Sequence, residues 1–160
     1  MNIDTLPIRF KVLSPLLRDG RIPMPAYATP GAAAMDLHAC CAEPLTIPAG
    51  GRAGIPTGIA IELPRADLVA LVFPRSGLAS KHGISLSNAV GVIDSDYRGE
   101  IICLMKNEST VDFQIQPGDR IAQIGIFPII RAIWEETDHL EGTRRGTGGF
   151  GSTGIRQDPG

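Results

Sequence analysis

A chain of 160 residues fits one domain at the usual ~150 residues per domain, long enough to bury roughly 68–70% of the surface an unfolded chain exposes. Its 15 Lys and Arg against 17 Asp and Glu leave a formal charge of -2, with no basic excess to hold a nucleic-acid backbone, so general nucleic-acid binding is excluded as its role. No stretch approaches the ~18 uninterrupted apolar residues of a membrane span, and the opening MNIDTLPIRF has no basic segment followed by an apolar one, so a cytoplasmic protein without membrane contact is expected.

Glycine (19) and proline (13) make up a fifth of the chain, against a usual ~12%, which works against helix. In chain order, strand-type runs are Ile8 to Leu13, the alternating Ile59, Ile61 and Leu63, and Leu68 to Phe73. A short helix from Gly77 to His82 follows, with Ser76 as its expected cap and Gly83 as its stop. The runs Ile84 to Ile93 and Ile101 to Met105 come next. Val111, Phe113 and Ile115 then alternate with polar residues up to the turn Pro117-Gly118-Asp119, and Ile121 to Ile130 closes the series. Regular short strands between Gly and Pro breaks predict a nearly all-β sandwich or barrel with one short helix. From Thr137 onward the apolar pattern ends, so residues 1–136 are read as the core and 137–160 as a mobile Gly-rich tail.

The three cysteines, Cys40, Cys41 and Cys103, lack metal-type spacing and are expected as reduced, buried thiols. His38, His82 and His139 are scattered and read as surface or structural residues. Gly146, Gly148 and Gly151 have the letters of a dinucleotide fingerprint, but no strand pattern precedes them and no helical pattern follows. What remains is flexible backbone rich in N–H groups beside Arg144, Arg145, Ser152 and Thr153, suited either to a linker or to closing over phosphates. Phe150 is a lone aromatic among these glycines, and exposing its ring gains nothing unless the ring has somewhere to land.

Pro74 to Ser80 brings Arg75, the Ser76 hydroxyl and the Gly77 backbone to a helix start, which is either an anion site or an ordinary capped turn. Asn88 interrupts an apolar run, and its amide carries the donor and acceptor that read a pyrimidine edge, or serves as a satisfied core amide. Gly91-Val92-Ile93-Asp94-Ser95-Asp96-Tyr97-Arg98-Gly99-Glu100 gathers acids at what reads as a hairpin end, where a carboxylate is held by strands yet reaches solvent. Asp119 and Arg120 read as turn-fixing residues. Gln123 stands among apolar residues, where an unpaired amide would cost ~1–3 kcal/mol, so a partner in the fold or on a ligand is expected.

Taken in order, Gly31 to Leu37, Pro74 to Ser80, Gly91 to Glu100, Gly118 to Gln123 and Arg145 to Gly154 resemble the five motifs of the trimeric dUTPases, the deoxyuridine triphosphate nucleotidohydrolases. The first departs most, with Ala34-Met35 before Asp36. The resemblance implies a jelly-roll-like β-barrel of the β-clip type and hydrolysis of dUTP to dUMP and pyrophosphate, which limits uracil in DNA and supplies dUMP for thymidylate. It implies Asp94 as the base that activates water, and Arg75, Ser76, Gly77 and Gln123 on the phosphates. Asn88, Gly91, Val92, Ile93, Ile102 and Met105 would surround uracil, and Tyr97 would pack under deoxyribose. Arg145, Gly149, Phe150, Gly151 and Ser152 would close from the tail, with Phe150 stacked on the base. It further implies Mg2+ carried by the phosphates, with Asp36 acting through water, and a homotrimer with sites shared between subunits. A dCTP deaminase of the same fold would carry further Arg and Glu residues that PRSGLAS and IDSDYRGE do not reproduce. A dUTP-binding regulator would have lost Asp94 or Phe150, and both are present.

Overall fold

The computed structural model describes residues 5–149. They divide into two units at Ile130/Arg131, and the first holds all the regular structure. Its strands are β1 (Arg9–Val12), β2 (Ala26–Tyr27), β3 (Met35–His38), β4 (Leu45–Ile47), β5 (Arg52–Pro56), β6 (Ile59–Glu62), β7 (Leu68–Pro74), β8 (Ile84–Leu86), β9 (Gly91–Ile93), β10 (Ile102–Asn107), β11 (Phe113–Ile115) and β12 (Arg120–Pro128). The helices are α1 (Pro15–Arg18) and α2 (Ser76–His82). The all-β expectation holds, with two short helices rather than one. α1 is a single turn started by Ser14, whose hydroxyl accepts from Leu16 N at 3.2 Å, with proline in its first position.

All pairings are antiparallel. The largest sheet runs β2-β3-β12-β7-β9, and smaller ones are β5-β10-β8, β1-β6 and β11-β4. β12 is the organising strand because it pairs β3 on one side and β7 on the other, with a bulge between Arg120 and Ala122 on the β3 side. One row across this sheet therefore reads Ala26, Asp36, Gln123, Phe73, and the next reads Tyr27, Met35, Ile124, Val72, Gly91. Residues from distant motifs become neighbours in these rows.

Apolar burial holds the sheets together, through Leu37, Ile47, Ile55, Ile84, Ile101, Met105, Ile115 and Ile121, all at most 1% exposed. Asn107 is the one polar residue buried to the same degree among those described. Its amide donates to the carbonyls of Ile47 and Val111, and its oxygen accepts from Ser109 N and Oγ, so every polar atom is matched. The cysteines are free thiols; Cys40 and Cys103 are buried, Cys41 is partly so, and burial pushes the Cys103 thiol up to about 12.

Two local expectations need correction. Ser76 is the first residue of α2 rather than its cap. Arg75 occupies the cap position and makes no side-chain capping bond, while Gly83 ends the helix in the left-handed conformation as expected. The run Ile84 to Ile93 is two strands instead of one. It turns at Ser87–Val90, with Ala89 at φ +61 and Val90 N donating to the Asn88 carbonyl at 2.7 Å.

In the second unit, residues 131–149 contain no helix or strand and are almost wholly exposed. Turns shape its end. Gly146 N donates to the Thr143 carbonyl, Gly148 N to the Arg145 carbonyl, and the Arg145 guanidinium to the Gly148 carbonyl at 2.9 Å.

Candidate active site

Two recesses open on the largest sheet, one at the end of β7 and one beside its middle. The first, of about 230 Å³, is lined by Asp36, Arg75, Ser76, Gly77, Arg120 and Gln123, with Ala28, Ala32 and Ala34 on its wall. Asp36 projects from β3, with its side chain 14% exposed, and lies between two guanidiniums. Arg75 Nε stands 3.3 Å from Oδ1, and Arg120 Nη1 stands 3.3 Å from Oδ2. Arg75 also donates to the Arg120 carbonyl at 3.0 Å, which ties the start of α2 to the start of β12. One carboxylate against two guanidiniums leaves a surplus positive charge in a recess whose other walls are small, so an anion fits there.

Gln123 lies opposite Asp36 in the ladder, and its amide donates to the Pro74 carbonyl at 3.3 Å. The partner expected for it exists inside the fold, and the residue still lines the recess. Arg120, read from sequence as a turn residue, is a full member of this site; the turn itself is fixed by Asp119, whose carboxylate accepts from Gln116 N at 2.8 Å. Nothing in the spacing of the sequence revealed this, because Arg120 reaches Asp36 only through the β3–β12 register.

His38 stands opposite Arg120 on β3. Its Nδ1 is buried without a partner, and burial, followed by Arg120 and Arg75, lowers its pKa below 6.5 against the opposing pull of Asp36. The positive charge of the recess is carried by Arg75 and Arg120.

The second recess, of about 110 Å³, is lined by Val72, Leu86, Asn88, Gly91, Val92, Ile93 and Ile101 to Leu104. Most of the side chains that line it are apolar, while its exposed surface is as much polar as apolar. Val92 and Ile102, 61% and 57% exposed, face outward, while the Asn88 amide makes no hydrogen bond among the described residues. Gly91 packs closely, since a Cβ there would lie 3.1 Å from Val72 Cβ, tight enough that Val72 would have to shift by a few tenths of an ångström. Met105 does not reach this surface. It is fully buried in the core, because on β10 it shares the inward face with Cys103 while Ile102 and Leu104 point outward.

Asp94 follows β9 directly, exposed and with no side-chain partner among the described residues, and its carbonyl accepts from Tyr97 N at 3.1 Å. The loop beyond it is braced at several points. Arg98 donates to the carbonyls of Ser95 (2.8 Å) and Tyr97 (2.9 Å), and the Glu100 carboxylate accepts from Gly58 N at 2.7 Å. Such bracing is what a positioned carboxylate needs. Arg145 and Gly149 belong to the second unit, and Phe150, Gly151 and Ser152 lie outside the described residues.

The model of the dUTPase family matches residues 20–154, a span that contains both recesses, the Asp94 loop and the glycine run. The chain belongs to the dUTPase family. It is 51% identical over 91% of its length to the deoxyuridine 5'-triphosphate nucleotidohydrolase of Desulfitobacterium hafniense, covering 97% of that protein. To the enzyme of the same name from Maricaulis maris it is 49% identical, over 96% of this chain and all of the relative. Among solved structures, the dUTPase of Staphylococcus bacteriophage 80alpha with dUPNHPP superposes with a TM-score of 0.81 at 26% identity, over 94% of this chain and all of the other. The all-β architecture is thus that of the dUTPases.

Proposed function

We propose that the chain is a dUTP diphosphatase that hydrolyses dUTP to dUMP and pyrophosphate. The observation that carries the assignment is the gathering of Asp36, Arg75, Ser76, Gly77, Arg120 and Gln123, drawn from three family motifs, around one cationic recess. Val72 of the second recess and Pro74, which accepts from Gln123, lie on the same strand, β7. The triphosphate is assigned to the arginine recess and uracil to the one beside the middle of β7, where the Asn88 amide supplies both a donor and an acceptor.

Asp94 removes a proton from water as its oxygen bonds to the α-phosphorus. The bond from that phosphorus to the bridging oxygen of the β-phosphate breaks, and pyrophosphate leaves. Arg75 and Arg120 stabilise the charge that builds on the departing oxygens. The Tyr97 ring sits under deoxyribose and excludes a 2′-hydroxyl by contact. Arg145, Gly149, Phe150, Gly151 and Ser152 close over the nucleotide, with Phe150 on the base.

Among the described residues no three His, Cys, Asp or Glu side chains gather as a metal cage, and both Asp36 oxygens face guanidiniums. A Mg2+ would therefore be carried mainly by the triphosphate, and Asp36 would support it only indirectly, through water. Bound there, it would offset phosphate charge.

The homotrimer with shared sites is supported by size and by surface. Neither recess reaches the roughly 300–1,000 Å³ of a typical ligand pocket, so neither encloses a nucleoside triphosphate unaided. Leu104 adds to the outward apolar face of β10. No helix among the described residues is long and apolar enough to cross a membrane, and a cytoplasmic location is assigned on the composition. Pyrophosphate release from dUTP, dCTP, dTTP and UTP tests the whole reading. Selective turnover of dUTP is expected, and equal or greater turnover of dCTP, dTTP or UTP would refute it.

A further inference from the structure

We infer that Gly99 is a positioning residue for the discrimination between deoxyribose and ribose, acting through the Tyr97 ring. This rests on the assignment of Tyr97 to the sugar. The ring folds back over its own loop, where its hydroxyl donates to the Glu100 carbonyl at 3.1 Å. In doing so it crosses the α-carbon of Gly99. A Cβ at that position would stand 2.3 Å from the Tyr97 hydroxyl oxygen, 2.5 Å from Cζ and 3.0 Å from Cε2. Gly99 is not among the residues with positive φ, so its backbone accepts any L-residue. The need for glycine comes from the ring.

The clash has one way to resolve. Behind the loop, Glu100 is held by Gly58 N, and Ile101 N donates to the Ile59 carbonyl at 2.9 Å, so the main chain is pinned to the strand beside it. Ahead of it Arg98 bonds two loop carbonyls and reaches Glu62 at 3.9 Å. Tyr97 is 45% exposed and has open solvent on its free side. A methyl group at position 99 therefore displaces the ring outward and leaves the strands in place. The surface offered to the sugar moves with the ring.

The test is kcat/KM for dUTP and for UTP in the unaltered enzyme, Gly99→Ala, Tyr97→Ala and the double variant, with a thermal melt of each. Gly99→Ala is expected to lower the dUTP-to-UTP ratio by about tenfold or more, within the roughly 10–200-fold that small steric differences command. In the Tyr97→Ala background the same change is expected to do nothing further, since the ring it would strike is gone. A ratio unchanged in Gly99→Ala but lowered in Tyr97→Ala would overturn the role of Gly99 and spare that of Tyr97. If Tyr97→Ala also leaves the ratio unchanged, the sugar assignment itself fails. An additional loss in the double variant as large as in the single one would mean that Gly99 serves the backbone, again overturning the inference. Should Gly99→Ala not fold, a double variant that melts with Tyr97→Ala upholds the ring clash, and a double variant that also fails to fold overturns it.

Discussion

Asp36 and Arg120 form an ion pair at 3.3 Å across β3 and β12, and the same carboxylate holds Arg75 on its other oxygen. Removing that charge leaves two guanidiniums facing each other. Asp36→Asn is expected to cost about 1.5–3 kcal/mol of stability, the range for charged hydrogen bonds, and to lower turnover through misplacement of both arginines. Urea unfolding and pyrophosphate release check the two effects. A variant unchanged in both would show that the arginines hold their places without Asp36.

Asp94 presents the opposite case, an exposed carboxylate without a side-chain partner among the described residues. Asp94→Asn should leave the melting temperature unchanged and dUTP binding intact, while hydrolysis falls by the ~10²–10⁴ that a general base supplies. Near-normal turnover would remove Asp94 from the role.

The contrast between these two aspartates shows what was legible in the sequence. The residue types of the site could be read from motif resemblance, because each motif is a contiguous word. The pairing of Asp36 with Arg75 and Arg120 could not, because it depends on the β3–β12 register and on a bulge that no spacing encodes. The same division runs through the fold. β5 was missed because RAGIP contains glycine and proline, yet it pairs β10 at five positions, so tertiary pairing overrides local preference. β3 was missed although Met35-Asp36-Leu37-His38 alternates apolar with polar, because four residues are too short a run to stand out. The Ser14-Pro15 start signal of α1 was in plain view, and its single turn was too short to show a helical period. The turn at Asn88 escaped because Ala89, rather than a glycine, takes the positive φ.

His38 links the site to pH. Its folded pKa lies below 6.5, chiefly through burial, so the folded state favours the neutral ring. The unfolded chain then binds more protons as pH drops, and the contribution present above about 6.5 is lost as pH falls through the folded value. His38→Gln cannot titrate. The decline in melting temperature from about pH 7.5 to about pH 5 should be shallower in the variant than in the unaltered protein, and equal slopes would contradict the assignment.

Gly58 joins β5 to β6 at φ +73, and a Cβ there would lie 2.6 Å from Cys40 Sγ and 2.7 Å from Leu17 Cδ1, both buried side chains. Gly58→Ala combines backbone strain with overpacking and should destabilise the protein by about 1–3 kcal/mol. A lower denaturant midpoint is expected. Relief by Cys40→Ala in the same chain would identify the thiol as the obstacle, and no loss of stability would refute the contact.

The shared site yields the last test. Met1–Ile130 is a compact unit by itself, while the residues after it carry no helix or strand among those described, so truncation after Glu141 should leave the melting temperature nearly unchanged and abolish most turnover. Asp94→Asn protein brings intact tails, and truncated protein brings intact Asp94. If a site takes Asp94 from one subunit and the tail from another, neither homotrimer is active, but mixed trimers regain function. After co-refolding at equal ratio, each site has a one-half chance of each part, so about a quarter of sites should be complete in closed, randomly assembled trimers. A tail that folds onto its own subunit's Asp94 gives a different result, because every site then lacks one component whatever the mixture. Pyrophosphate release before and after co-refolding separates the two arrangements. Mixed trimers verified by mass and still inactive would show that the tail does not cross, and the hydrolysis of dUTP by the unaltered chain would stand apart from that result.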